Sequence, residues 1–153
     1  MVRCRRWVPN GAAILSVATK DALSIARRVQ TGQQAPLPGA ARTYQLLIEV
    51  AGPSRVRIGR LGTFDFPAGI YIYTGSALRN FEARVKRHLA TAKKMHWHID
   101  YLLAAPGVRV LEVRRHGESE CCVNQRVGGE IPVPGFGASD CRAACGSHLK
   151  RLG

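Results

Sequence analysis

The stretch "AGIYIYTGSALRNFEARVKRHL", residues 68–89, changes its apolar period halfway along. Ile70 and Ile72 fall on one side and Tyr71 and Tyr73 on the other, the two-residue alternation of a strand. From Leu78 the apolar positions become Leu78, Phe81, Val85 and Leu89, which predicts a stripe along one side of a helix. A strand that hands over through Gly75-Ser76 to an amphipathic helix excludes purely helical and purely β folds. Arg84 and His88 are four residues apart and share a helix face. That face lies beside the stripe, so both side chains are expected at the rim of the sheet. An arginine there offers a planar fork to a phosphate oxygen, and a histidine can orient water or donate a hydrogen bond.

The flanking segments extend the pattern. "TYQLLIEV" from Thr43 reads as a strand, and "SRVRIGRLGTFDF" as short alternating runs broken at Gly59 and Gly62, with hairpin register left open. "HWHIDYLLAA" predicts a helix that stops before Pro106-Gly107, "VRVLEV" a strand, and residues 119–127 a short helix. The tail "IPVPGFGASDCRAACGSHLKRLG" reads as loop. The order β-β-β-α-α-β-α predicts an α+β fold, a small antiparallel or mixed sheet flanked by helices, in one domain over residues 42–153. Residues 1–41 read as a basic, weakly structured arm, with a short helix over 20–29 and the linker-like "QTGQQAPLPGA". That arm is expected to be dispensable for folding.

Charge narrows the function. Lys and Arg total 23 against 10 acidic residues, a net charge of +13, and phosphate backbones are the commonest partner of such a surface. Nucleic acid, DNA first, is the expected partner. No apolar run reaches the roughly 20 residues that span a bilayer, so no membrane association is expected. The N-terminal apolar patch "AAILSVA" is short for a secretion signal, and five cysteines are an odd number. Reduced cysteines in a cytoplasmic protein are the expectation. Cys141, Cys145 and His148, with Cys121 or Cys122 as a fourth, have the chemistry of a structural zinc site, against the alternative of small buried thiols. Neither a Walker phosphate loop nor a dinucleotide fingerprint occurs.

"YTGSALRNFEARVKRH" resembles the core of the GIY-YIG nuclease superfamily, in which a Tyr-x-Gly strand is followed by an arginine and then a histidine. Tyr73, Gly75, Arg84 and His88 fall on those positions. The first-strand motif matches at Arg42-Thr43-Tyr44, with Arg42 where the family has glycine, and the literal "GIY" of Gly69–Tyr71 is a decoy. "FPAGIYIYTGSA", "HWHIDYLL" and "VPGFGASDC…SHL" are similar to a branch labelled a domain of unknown function, sometimes fused to repair proteins resembling endonuclease III. In that branch the tail cysteines sit closer together than Cys141 and Cys145 do here.

The resemblance implies a metal-dependent DNA endonuclease in repair or processing. Magnesium, or manganese, would be held by a glutamate, with Arg84 stabilising charge on the transition state. Tyr73, with Tyr44 beside it, would help deprotonate water, which needs a lowered phenol pKa. Glu120 is the metal-ligand candidate, with Glu118 beside it, although alignment on apolar positions can place Gln125 there. The expected catalytic set is Tyr44, Tyr73, Arg84, His88 and Glu120. Gly75, Ser76, Arg79, Arg87, His96 and His98 are the expected nucleic-acid contacts. Trp97 and Tyr101 are expected in the core, and Asp100 beside a histidine. The alternative is a nucleic-acid-binding module that keeps the fold without catalysis, and a third reading is a regulatory domain whose charge is incidental.

Overall fold

The computed structural model describes residues 41–153, so the expected arm, its helix and its linker lie outside the described residues, residue 41 apart. "TYQLLIEV" forms β1 (Thr43–Val50), buried at nearly every position, as a strand covered on both faces must be. It pairs antiparallel with β4 (Gly69–Ser76) on one side and β5 (Val108–His116) on the other. A short β6 (Leu149–Leu152) lines the outer edge of β4, giving the order β5-β1-β4-β6. Among the described residues the fold is therefore α+β, with antiparallel sheets and three short helices.

The uncertain stretch after β1 is a separate hairpin, β2 (Ser54–Ile58) with β3 (Gly62–Phe66). The helices are α1 (Phe81–Leu89), α2 (His98–Leu103) and α3 (Glu120–Gln125). The observed order is thus β-β-β-β-α-α-β-α-β, and two expectations need correction. The tail is not all loop: Leu149–Leu152 becomes a strand because the open edge of β4 offers unpaired N–H and C=O groups. The four-residue stripe also fails at both ends. Asn80 adopts a left-handed conformation (φ 54°) and delays the helix to Phe81, which leaves Leu78 in the turn at 81% exposure. Leu89 is exposed as well, and the helix buries Val85 and His88 instead.

The register places the site. Tyr44 sits opposite Gly75, Leu46 opposite Tyr73 and Ile48 opposite Tyr71. These residues face the core with Phe66, Ile99, Leu102 and Phe136. A Cβ on residue 75 would come within 2.5 Å of the Tyr44 ring, so only glycine lets that ring lie flat across β4.

Candidate functional site

Where β1 and β4 run out beneath α1, the core becomes polar. The Tyr44 hydroxyl lies 2.7 Å from His88 Nε2, and both residues are buried. His88 Nδ1 faces Asp100 Oδ1 at 3.8 Å. This carboxylate favours the tautomer with the proton on Nδ1, so Nε2 accepts from the Tyr44 hydroxyl. Asp100 is fully buried on α2 and thoroughly held. Arg87 donates to both carboxylate oxygens at 2.9 Å, and the His96 and Trp97 N–H groups donate to Oδ2 at 3.0 and 2.9 Å. Burial alone would raise the Asp100 pKa, but Arg87 and these donors overcome it and hold the group ionised. Burial pushes His88 down to about 4, helped by Lys93, Arg87 and Arg84 and opposed by Asp100, so it is neutral at physiological pH.

Arg84 lies at the mouth of this network. Its Nη1 donates to the Ser76 carbonyl at 3.2 Å and its guanidinium stacks 4.6 Å from the Trp97 ring centre. Arg87 stacks on the same ring at 4.3 Å, so Trp97 holds two cations side by side. Tyr73 is close by, its ring centroid 6.4 Å from both Tyr44 and His88.

The expected lowered phenol pKa is overturned. Burial raises both tyrosines well above the ordinary value, the Glu120 charge raises them further, and Arg84 offsets only part of this. The expected rim position of His88 is overturned too, because α1 is rotated so that the imidazole points inward beneath Tyr44.

Glu120 opens α3 on the other side of β4. Ser76 Oγ donates to Oε2 at 2.6 Å and His148 Nδ1 lies 2.9 Å from Oε1. Burial would lower the His148 pKa, but Glu120 and the Cys141 and Cys145 sulfurs raise it to about 9. Behind His148 gather Cys121, Cys141 and Cys145, and one ligand atom from each of the four residues lies within 4.8 Å of the others. Cys121, rather than Cys122, thus completes the expected set. Burial raises the Cys141 thiol, yet the Cys145 and Ala143 N–H groups and the His148 and Cys145 side chains bring it to about 6.

Several expected nucleic-acid contacts have other occupations. Gly75 makes room for Tyr44, Ser76 Oγ is committed to Glu120, and Arg87 is committed to Asp100 and to the Lys94 carbonyl at 2.6 Å. His98 Nδ1 accepts from the Gly137 N–H at 3.1 Å, which pins the tail loop against the core. Arg79 and His96 are exposed and available to a ligand. Trp97 and Tyr101 are half-buried against the core, and Tyr101 closes over Gly59. Gly137, in the tail expected to be loop, lies against the Tyr73 ring and leaves 2.9 Å for any Cβ. A glycine this far along the chain carries no signal of that contact.

No curated protein and no solved structure matches the chain. A family model, Domain of unknown function DUF123, matches residues 43–153, which is the whole of the sheet, helices and cysteine cluster just described. The chain is a member of the DUF123 family.

Proposed function

We propose that this protein hydrolyses phosphodiester bonds in DNA, as a metal-dependent endonuclease of the GIY-YIG kind. The observation that carries the reading is the buried Tyr44–His88 pair lying under the Arg84 guanidinium. A Tyr-His-Asp chain is a costly use of a core and needs a compensating role. With its raised pKa, Tyr44 cannot act as a standing phenolate. It can act as a relay, taking a proton from attacking water while passing its own to His88 Nε2. Asp100 would stabilise the imidazolium that forms, and a bound phosphate would lift the low His88 pKa toward the working range. Arg84 stabilises charge on a non-bridging oxygen.

Glu120 fits a magnesium or manganese ion that keeps most of its water. Ser76 and His148 engage one position on each oxygen, which leaves about half of the acceptor sites of a carboxylate free. Such an ion would neutralise the leaving oxygen. Arg79 and His96, both exposed, would be contacts for the backbone. The test is purified protein on labelled duplex, flap and branched DNAs with magnesium, manganese or chelator. Cleavage that requires the metal and disappears in Arg84→Ala supports the reading. Uncut DNA in every condition would end it.

A second reading, a DNA-binding module without hydrolysis, is favoured by the engagement of both Glu120 oxygens by protein groups. It predicts salt-sensitive binding with no cleavage, at a log-log slope of about −0.9 per phosphate neutralised. Salt-independent affinity would count against both readings.

A further inference from the structure

We propose that Cys121, Cys141, Cys145 and His148 hold a structural zinc ion, and that Glu120 is the carboxylate that orients His148 for it. The zinc site itself does not depend on the hydrolase reading, with which it shares only Glu120.

The donor set selects the metal. Three thiolates and an imidazole are soft ligands that suit zinc and poorly suit magnesium or calcium, and four protein ligands close a tetrahedral site. The spacing agrees. Sulfurs about 2.3 Å from a zinc ion at tetrahedral angles are about 3.7 Å apart. Cys121 and Cys141 place their Sγ atoms 3.6 Å apart, whereas a disulfide would need about 2.05 Å.

The imidazole points the same way. His148 Nδ1 is engaged by Glu120, while Nε2 is buried and has no hydrogen-bond partner. A buried nitrogen left this way costs about 1–3 kcal/mol unless it finds a partner. A cation among the three sulfurs supplies one. Donation from Nδ1–H to a carboxylate is the arrangement that fixes the tautomer of metal-bound histidines. Gln125 Nε2 lies 3.9 Å from Cys145 Sγ, a weak hydrogen bond to one sulfur of the set.

The site also answers a structural need. Residues 126–148 contain no helix or named strand, yet they must cover Tyr73 and deliver β6 to the sheet. Zinc would tie α3 through Cys121 to that loop through Cys141 and Cys145, and to the start of β6 through His148. Glu120 then becomes a positioning residue, held between the metal's histidine and Ser76 at the end of β4.

The test uses the full chain, purified without chelator. Elemental analysis should return one zinc per chain, and replacement by cobalt(II) should give the visible bands of a tetrahedral thiolate complex. Alkylation followed by peptide mass analysis should find Cys121, Cys141 and Cys145 protected, and reactive once the metal is removed. Cys145→Ser should lose the zinc. Glu120→Gln should weaken zinc binding about 10–100-fold in competition with a chelator, without abolishing it. If Cys145→Ser fails to fold, the cobalt spectrum of the unaltered chain still decides. A folded chain with three reactive thiols that takes up neither metal overturns the proposal. Unchanged zinc affinity in Glu120→Gln overturns the role given to Glu120.

Discussion

The polar network under α1 and the cysteine cluster behind α3 flank the same strand end but are stabilised in opposite ways. Around Asp100, every acceptor position meets a protein donor: Arg87 twice, and two backbone N–H groups from the turn that precedes α2. Around His148, the protein supplies Glu120 to one nitrogen and sets the other among the cysteine sulfurs without a well-formed hydrogen bond. In the first region the carboxylate is held by four donors, while the buried His88 Nδ1, 3.8 Å from Asp100 Oδ1, makes no hydrogen bond. In the second, the proposed zinc ion would be the partner of His148 Nε2.

Substitutions can sharpen that contrast. The largest effect is expected at Arg84, which is half-buried and gives the fold little beyond one carbonyl contact and the Trp97 stack. Arg84→Ala should slow DNA cleavage by roughly two to three orders of magnitude while the protein still melts cooperatively. Cleavage at an unchanged rate would remove Arg84 from the chemistry. Next comes Asp100→Ala, which strands Arg87 and two N–H groups. Denaturant titration should find about 3 kcal/mol less stability.

The His88 titration gives an effect of similar size and a defined sign. Its pKa falls from 6.5 to about 4 on folding, so the unfolded chain binds the extra proton first. This contribution to stability is fully present above pH 6.5 and is lost as pH falls toward 4, on the order of 3 kcal/mol in all. Melting temperature across that window should fall steeply in the unaltered protein and less in His88→Gln. Equal slopes would show that His88 is not the titrating group. The smallest effect is at Gly75. An added methyl must push the Tyr44 ring aside, and Gly75→Ala should cost about 1–3 kcal/mol while lengthening the Tyr44–His88 contact. A crystal structure of that variant with the ring unmoved would deny the steric role.

Much of the fold is legible along the chain because periodicity is local. The alternation in "GIYIYTG" becomes β4, "TYQLLIEV" becomes β1, and the helices over 98–103 and 120–125 fall within their expected segments. The errors occur where a single backbone angle or a distant edge decides. Asn80 shortens α1 and releases Leu78 to solvent, although Leu78 fits the stripe by spacing. β6 has no strong strand signal of its own and forms because β4 has an open side. The ionisation of the two tyrosines runs opposite to the expectation. A nearby Arg84 is visible in sequence, but the desolvation that outweighs it is a property of the packed core.

The sequence by itself determined which groups exist and which lie close together along the chain: the strand-to-helix switch, Arg84 and His88 a turn apart, Cys141 and Cys145 near His148, and the charge of +13. Only the tertiary structure decided what each group faces. It turned His88 inward onto Tyr44, committed Arg87 to Asp100, and carried Cys121 from α3 to the tail cysteines. It also placed Glu120 between Ser76 and His148. The physical reason is range. Helix and strand periods arise from neighbours a few residues apart, whereas burial, ion pairing and ligand geometry depend on residues that only the closed chain brings together.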